Sequence, residues 1–335
     1  MTRKPIRVGI THGDINSISY EIILKTLADE RMLELCTPIV YGSAKIAAFY
    51  RKTLEMPDFH FNQIASADEA RDGANNIVNI VGEDVKIDPG TPTQVSGAAA
   101  LSALEAAVAD LKTGKIDALV TAPINKHCIQ SETFHFPGHT EYLESACGDG
   151  EKALMVLCSD NMRIALVTTH LPLNDVPQAI TKESILDKLH VFHRSLQQDF
   201  AIPSPRIAVL SLNPHAGEAG LLGNEEEDVI IPAIKEAQGE RMLVFGPYAV
   251  DGFFGAGSYA KFDGILAMYH DQGLAPFKAL AMDEGVNFTA GLPYVRTSPD
   301  HGTGYDIVGK GQANAQSMRQ AIYYAIDIYR NRQRQ

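Results

Sequence analysis

The chain has 335 residues, 45% of them hydrophobic and 21% charged, with 27 glycines and a formal net charge of −12. At about 150 residues per domain this length points to two domains, with a core large enough to fold without disulfides. The acidic balance argues against a nucleic-acid partner, whose backbone demands a basic face, but leaves room for a small anionic substrate held by local cations. Cys36, Cys128, Cys147 and Cys158 lie far apart with no C-x-x-C pair and read as reduced, buried thiols. The opening MTRKPIRVGITHGD lacks the apolar stretch of a signal peptide, and no run of about 18 apolar residues occurs. The expectation is a soluble cytoplasmic protein with no membrane span.

Short apolar runs alternate with helical patterns, the signature of an α/β protein with a largely parallel sheet. In chain order the predicted strands are 6–11, 38–41, 76–81, 117–121, 153–157, 164–169, 207–212, 242–245 and 264–268. Helices are predicted over 95–112, stopped by Gly114, over 182–198, capped by Thr181 with Glu183 in the first turn, and over 313–330. With no repeat or linker visible, two domains are expected to interleave.

The strand exits are more informative. The run 117–121 leads into APINK, 164–169 into HLPL, 207–212 into NPHAGE and 264–268 into YHDQG. Ligands of open α/β sheets bind outside the carboxyl ends of strands, so these exits point to one convergent polar site. His170, His215 and His270 stand at three of them, with Asp271 beside the last. Neutral imidazoles suit a divalent metal, and three ligands leave a position open for substrate. Their sequence spacing is too long for a local motif, so hydrogen-bonded loop histidines are the plain alternative.

In FPGHTEYLE, Pro137-Gly138 makes a turn and His139 and Thr140 open a helix, a place where free N–H groups favour an anion. The plain alternative is a turn with Thr140 as N-cap. Lys126, Lys278, Asn287 and Arg296 fall in loops or at element ends, where the cations can clamp a phosphate or simply be solvated. Asp251 in VDGFF is a ligand-orienting carboxylate or a turn residue. No G-x-G-x-x-G follows a strand, and 252–257 has the wrong spacing and reads as a loop. Walker A, H-E-x-x-H and G-x-S-x-G are absent as well.

TAPINK, FPGHTE, TTHLPL, LNPHAGE, AMYHDQG and GLPYVRTSPDHGT occur in that order along nearly the whole chain. On these blocks the sequence resembles the PdxA family, the 4-hydroxythreonine-4-phosphate dehydrogenases of vitamin B6 biosynthesis. The resemblance implies a two-domain α/β/α fold similar to isocitrate and isopropylmalate dehydrogenases, with a cleft between the domains, and a homodimer. The expected domains are 1–125 with 297–335, and 126–296 carrying the metal ligands and dimer contacts. By this resemblance His170, His215 and His270 hold one divalent ion (zinc, magnesium, manganese or cobalt), with ligands drawn from both subunits. His139, Thr140, Lys278, Asn287 and Arg296 bind substrate.

NAD or NADP is the implied cofactor, with its binding residues unassigned and no Rossmann fingerprint required. The implied reaction is oxidation and decarboxylation of 4-phosphohydroxy-L-threonine to 3-amino-2-oxopropyl phosphate. Lys126, Asp251 and Asp271 are the acid–base candidates. Alternatives are a paralogue acting on another phosphorylated acid, such as 4-phospho-erythronate or -threonate, and a non-catalytic metal- or phosphate-binding sensor. One departure stands out: the family's first turn is rich in glycine and proline, whereas here Ser17 and Ser19 replace glycines and Tyr20 replaces proline.

Overall fold

The structure is a computed structural model that describes residues 5–82, 84–131 and 134–334. Its regular elements begin with β1 (Ile6–Thr11), α1 (Ser19–Leu27), α2 (Met32–Leu35), β2 (Cys36–Gly42), α3 (Ala44–Thr53), β3 (Asn62–Ile64) and β4 (Asn76–Asn79). There follow α4 (Gln94–Lys112), β5 (Ala118–Thr121), α5 (His139–Cys147), β6 (Leu154–Ser159), β7 (Met162–Leu166), α6 (Val176–Ala179), α7 (Lys182–Gln198) and β8 (Arg206–Leu210). The last are α8 (Ile231–Gly239), β9 (Leu243–Tyr248), α9 (Val250–Gly255), β10 (Gly264–Ala267), α10 (His270–Ala281), β11 (Val286–Ala290), β12 (Arg296–Pro299) and α11 (Gln316–Arg332).

The chain divides into two compact units, Met1–Asp149 with Pro293–Arg330, and Gly150–Leu292 with Asn331–Gln335. The segment after Lys126, expected in the second unit, belongs to the first, where α5 packs on α4 and Lys112 Nζ donates to the Ala146 carbonyl at 2.9 Å.

Unit 1 orders its strands β3-β4-β2-β1-β5-β12, every neighbouring pair parallel. Parallel strands are covered on both faces, which is why β1, β2 and β5 read as almost unbroken apolar runs. α4 begins at a capping box, with Thr93 accepting from Ser96 N, and packs along β1, β2 and β5.

The turn after β1 is closed by side-chain hydroxyls. Ser17 Oγ donates to the Asp14 carbonyl at 2.6 Å and lies 2.8 Å from Ser19 Oγ, which reaches the Pro123 carbonyl. Asp14 Oδ2 accepts from Ser96 Oγ and from the Tyr305 hydroxyl. Tyr20 is the second residue of α1, a position that also tolerates proline, so the exchange leaves the helix start intact. Its ring stacks on Tyr50, and its hydroxyl accepts from Ser43 N and meets His12 Nδ1 at 2.9 Å. Gly42 leaves the room, since a Cβ there would stand 2.7 Å from the Tyr20 oxygen. All of 12–20 is buried, so this turn is a polar core rather than a flexible loop.

Unit 2 orders its strands β11-β6-β7-β10-β8-β9; β11 and β6 and then β6 and β7 pair antiparallel, and the rest parallel. Side chains alternate across a strand. Gly264 of β10 faces Phe192 and Leu196 of α7, while Ile265 and Ala267 join Leu274 and Phe277 of α10 in one core cluster. α7 and α10 therefore cover opposite faces of the sheet.

The predicted helices are all present; 252–257, read as a loop, is helical through Gly255. Strands β3, β11 and β12 escaped the sequence reading because each is short and carries polar residues.

His12 is fully buried, and its Nε2–H donates to the Ala99 carbonyl, which leaves Nδ1 to accept from Tyr20. Burial lowers its pKa to about 4. Between about pH 4 and 6.5 the unfolded chain takes up a proton that the folded chain refuses, so this group makes stability rise with pH. The effect is at most roughly 3 kcal/mol across the window. Urea unfolding at pH 4.5 and pH 7 should show a smaller pH dependence in His12→Gln than in wild type, and equal dependence in both would contradict the assignment.

Candidate active site

Three neighbouring parallel strands of unit 2, in the order β7-β10-β8, end side by side. With strands ~4.8 Å apart, their exits lie within ~10 Å of one another. His170 follows β7, His270 opens α10 directly after β10, and His215 stands five residues beyond β8. His170 and His215 are exposed and His270 is half-buried. The rings of His170 and His270 have centroids 6.1 Å apart.

That separation can be tested against a shared ion. A metal at ~2.1 Å from a ring nitrogen lies ~3.2 Å from the ring centroid, so two imidazoles on one ion have centroids ~5.2 Å apart at the tetrahedral angle and ~6.4 Å apart at the linear limit. The pair lies within that limit, about an ångström wider than a tetrahedral site. His270 Nδ1–H donates to Asp271 Oδ1 at 2.7 Å, which directs the Nε2 lone pair outward, the arrangement common to metal-bound imidazoles. Among the described residues no group of three or more His, Cys, Asp or Glu side chains stands ready for a metal, so His215 does not complete the set within one chain.

His215 sits in an unusual turn. His215, Ala216, Gly217, Glu218 and Ala219 have φ values of 52°, 53°, 77°, 44° and 53°. Each non-glycine residue in this left-handed region costs roughly 1–2 kcal/mol. Neighbouring structure must hold such a turn in place.

The anchor candidates of unit 1 converge on the start of α5. Its N-cap is Gly138, in an extended conformation and without a side-chain bond, so Thr140 is not the cap and the first N–H groups are left for another acceptor. His139 Nε2 is buried and has no hydrogen-bond partner. Burial, then the charges of Arg296 and Lys126, hold the His139 pKa well below the ordinary value. Arg296 is the first residue of β12, an element end as expected; it is buried, and Nε and Nη2 donate to Thr121 Oγ1 at 3.0 and 2.6 Å. Burial lowers its pKa to about 9, against the opposing pull of Glu141, so the guanidinium stays cationic at neutral pH. A desolvated cation beside a neutral imidazole and a helix N-terminus is an anion receptor.

In unit 2, Asn287 lies on β11 rather than in a loop, and its Oδ1 is also buried without a partner. Lys278 is half-buried in the last turn of α10, and Asp251 is exposed in the first turn of α9. The sequence reading passed over Thr168, Gln272 and Glu226, which are all buried. The position of Thr168 and Gln272 within the two histidine motifs was the available signal, whereas Glu226 sits in an acidic run that reads as a solvated helix start.

An α/β fold whose second unit carries histidines at its strand ends, and whose first unit separately buries an arginine beside a helix N-terminus, has the features of an enzyme class that acts on small anions. The family described as pyridoxal phosphate biosynthetic protein PdxA matches residues 34–325, and the chain belongs to it. It is 59% identical over 335 residues to a 4-hydroxythreonine-4-phosphate dehydrogenase of Bacteroides thetaiotaomicron, covering 100% of this chain and 92% of that protein. It is 39% identical over 332 residues to an Oceanobacillus iheyensis protein provisionally named a D-threonate 4-phosphate dehydrogenase, covering 98% of this chain and 99% of that one. A crystal structure of 4-hydroxythreonine-4-phosphate dehydrogenase from Klebsiella pneumoniae superposes with a TM-score of 0.82 at 32% identity, covering 98% of this chain and 99% of that one. No helix among the described residues is long and apolar enough to cross a membrane.

The depressed His139 pKa predicts a neutral ring at pH 7. Its NMR ring resonances should not titrate between pH 6 and 8, and a midpoint near 6.5 would contradict the burial.

Proposed function

We propose that this chain is an NAD-linked, divalent-metal-dependent dehydrogenase. Its reaction oxidises and decarboxylates 4-phosphohydroxy-L-threonine to 3-amino-2-oxopropyl phosphate in vitamin B6 biosynthesis. The observation that carries the reading is the buried, unpartnered His139 Nε2 beside the α5 N-terminus and the buried Arg296, all in the first unit. Buried polar groups are normally satisfied, so a ligand is the natural partner for this one.

In this reading the phosphate or carboxylate rests on the α5 N-terminus, Arg296 and the His139 ring. Their fixed positions hold the reacting carbon in place. His139 donates a hydrogen bond without carrying charge, because burial, and after it the charge of Arg296, keeps its ring neutral. Thr140 and Lys278 add polar contacts, and Asn287 offers its amide. A base takes the proton of the substrate hydroxyl, NAD when bound would supply the hydride acceptor, and the β-keto acid so formed releases CO2. Of the acid–base candidates, Asp271 is engaged in orienting His270, and Asp251 is on an exposed helix start. Lys126 lies against the anchor, its Cε close to Gly138, and is the favoured proton carrier.

His170 and His270 of one subunit, with His215 of a second, would hold the ion. When bound there, a divalent ion supplies Lewis-acid polarisation of the substrate hydroxyl and stabilises negative charge after CO2 leaves. Exposed Leu171, Leu173, Leu221 and Leu222 follow His170 and His215 closely in sequence and support a homodimer in which this apolar surface is covered. Neutral nitrogen ligands favour zinc or cobalt over magnesium.

The higher identity to the 4-hydroxythreonine-4-phosphate dehydrogenase than to the threonate enzyme favours the amino acid substrate. NADH formation with 4-phosphohydroxy-L-threonine should vanish after EDTA and return with zinc or cobalt. Metal-loaded protein that turns over D-threonate 4-phosphate but not the amino acid would overturn the substrate assignment. His215→Ala should fold, lose the ion and lose at least about a hundredfold in rate. Co-expressed His170→Ala and His215→Ala chains should recover about a quarter of wild-type activity, because half of the dimers then own one intact site. No recovery would place His170 and His215 in the same chain.

A further inference from the structure

Of the three histidine-bearing strand ends, the one before His215 is the least constrained by its own geometry. β8 stops at Leu210, and the chain then runs through five successive residues, 215–219, with left-handed φ angles. What lies beneath that turn is a single carboxylate. Glu226 is 1% exposed, at the start of a wide helical turn (Glu226–Ile230) that runs on into α8. Its Oε1 accepts from Leu212 N and Asn213 N, both at 2.8 Å, and its Oε2 accepts from Asn213 Nδ2 at 2.9 Å. Asn213 Nδ2 is shared with Glu225 Oε2 at 2.7 Å. The fit is close: a Cβ on Gly217 would stand 2.6 Å from Glu226 Oε2, so the turn wraps the carboxylate at the one residue with no side chain.

The same strand end is tied sideways to its neighbours. Gln272 is buried; its Oε1 accepts from Met268 N and its Nε2 donates to the Ser211 carbonyl, both at 2.7 Å. Thr168 Oγ1 donates to the Met268 carbonyl at 2.8 Å. Three buried side chains that are not themselves ligand candidates thus join the exits of β7, β10 and β8, the strands that lead to His170, His270 and His215. A buried carboxylate is costly unless its acceptors are filled, and here they are filled by the backbone that leads into the ligand turn.

We infer that Glu226 is a positioning residue for metal binding: it fixes the left-handed turn that presents His215, while Gln272 locks the strand end beneath that turn to the one bearing His270. The inference rests on the metal assignment of His215 proposed above. Outer partners of this kind typically contribute tenfold to a hundredfold in metal affinity.

The test compares wild type, Glu226→Gln and His215→Ala as full-length metal-free protein. Zinc affinity is measured by competition with a chromophoric chelator, and the visible spectrum is recorded after loading with cobalt(II). Glutamine keeps the size of Glu226 but sets an N–H donor against Asn213 Nδ2. The expected result is a Glu226→Gln protein with native circular dichroism, zinc affinity weaker by about tenfold to a hundredfold, and an altered cobalt spectrum. A purely structural carboxylate would lower the melting temperature and leave both metal readouts at wild-type values, which overturns the inference. If Glu226→Gln does not fold, Asn213→Ala takes its place; a loss of about tenfold or more in zinc affinity supports the inference, and wild-type affinity overturns it. Wild-type protein that binds no zinc, or His215→Ala protein that binds it normally, removes the metal assignment itself. Loss in His215→Ala with none in Glu226→Gln removes the role of Glu226 alone.

Discussion

The parallel register of β7, β10 and β8 is the constraint on which the histidine arrangement depends. Parallel strands pointing the same way deliver their carboxyl ends to one edge of a sheet, and adjacent strands deliver them at a spacing set by backbone hydrogen bonds. Histidines scattered over a hundred residues of sequence thereby reach one edge. The covering helices α7 and α10 bury the two faces, so the edge is the place left for polar chemistry. What backbone pairing does not fix, the path after each strand, falls to buried polar side chains.

A second theme is desolvation used in opposite ways in unit 1. Around the first turn, burial is matched by complete pairing: Asp14, Ser17, Ser19, Tyr20 and His12 satisfy one another and the backbone. Around α5, one buried atom is left unmatched, His139 Nε2, while the buried Arg296 beside it donates to Thr121. The first pattern stabilises a fold, and the second has the chemistry that suits an anion. Exchange of glycine and proline for serine and tyrosine in the first turn therefore changes how that turn is held without placing a new side chain on the surface.

Much of this was legible in the residues. The apolar runs gave most strands, Thr181 and Gly114 marked helix ends, and the polar residues at strand exits pointed to the histidines. Short strands with polar residues, such as Val286–Ala290 and Arg296–Pro299, were not legible. Their strand character comes from pairing partners distant in sequence, and pattern alone cannot supply those. Asn287 and Arg296, expected in loops or at element ends, are the second residue of β11 and the first of β12.

The sequence by itself determined the α/β class, the identity of the polar residues at the strand ends and, through six ordered motifs, the family. Each of these rests on local chemistry or on residue order. Only the tertiary structure decided that the His170 and His270 rings lie 6.1 Å apart and that segment 126–149 belongs to the first unit. It also decided that Glu226, one acid in a run of four, is the buried one. Burial and proximity are properties of contacts between distant segments, and a carboxylate in an acidic run carries no local mark of whether it will be hydrated or enclosed.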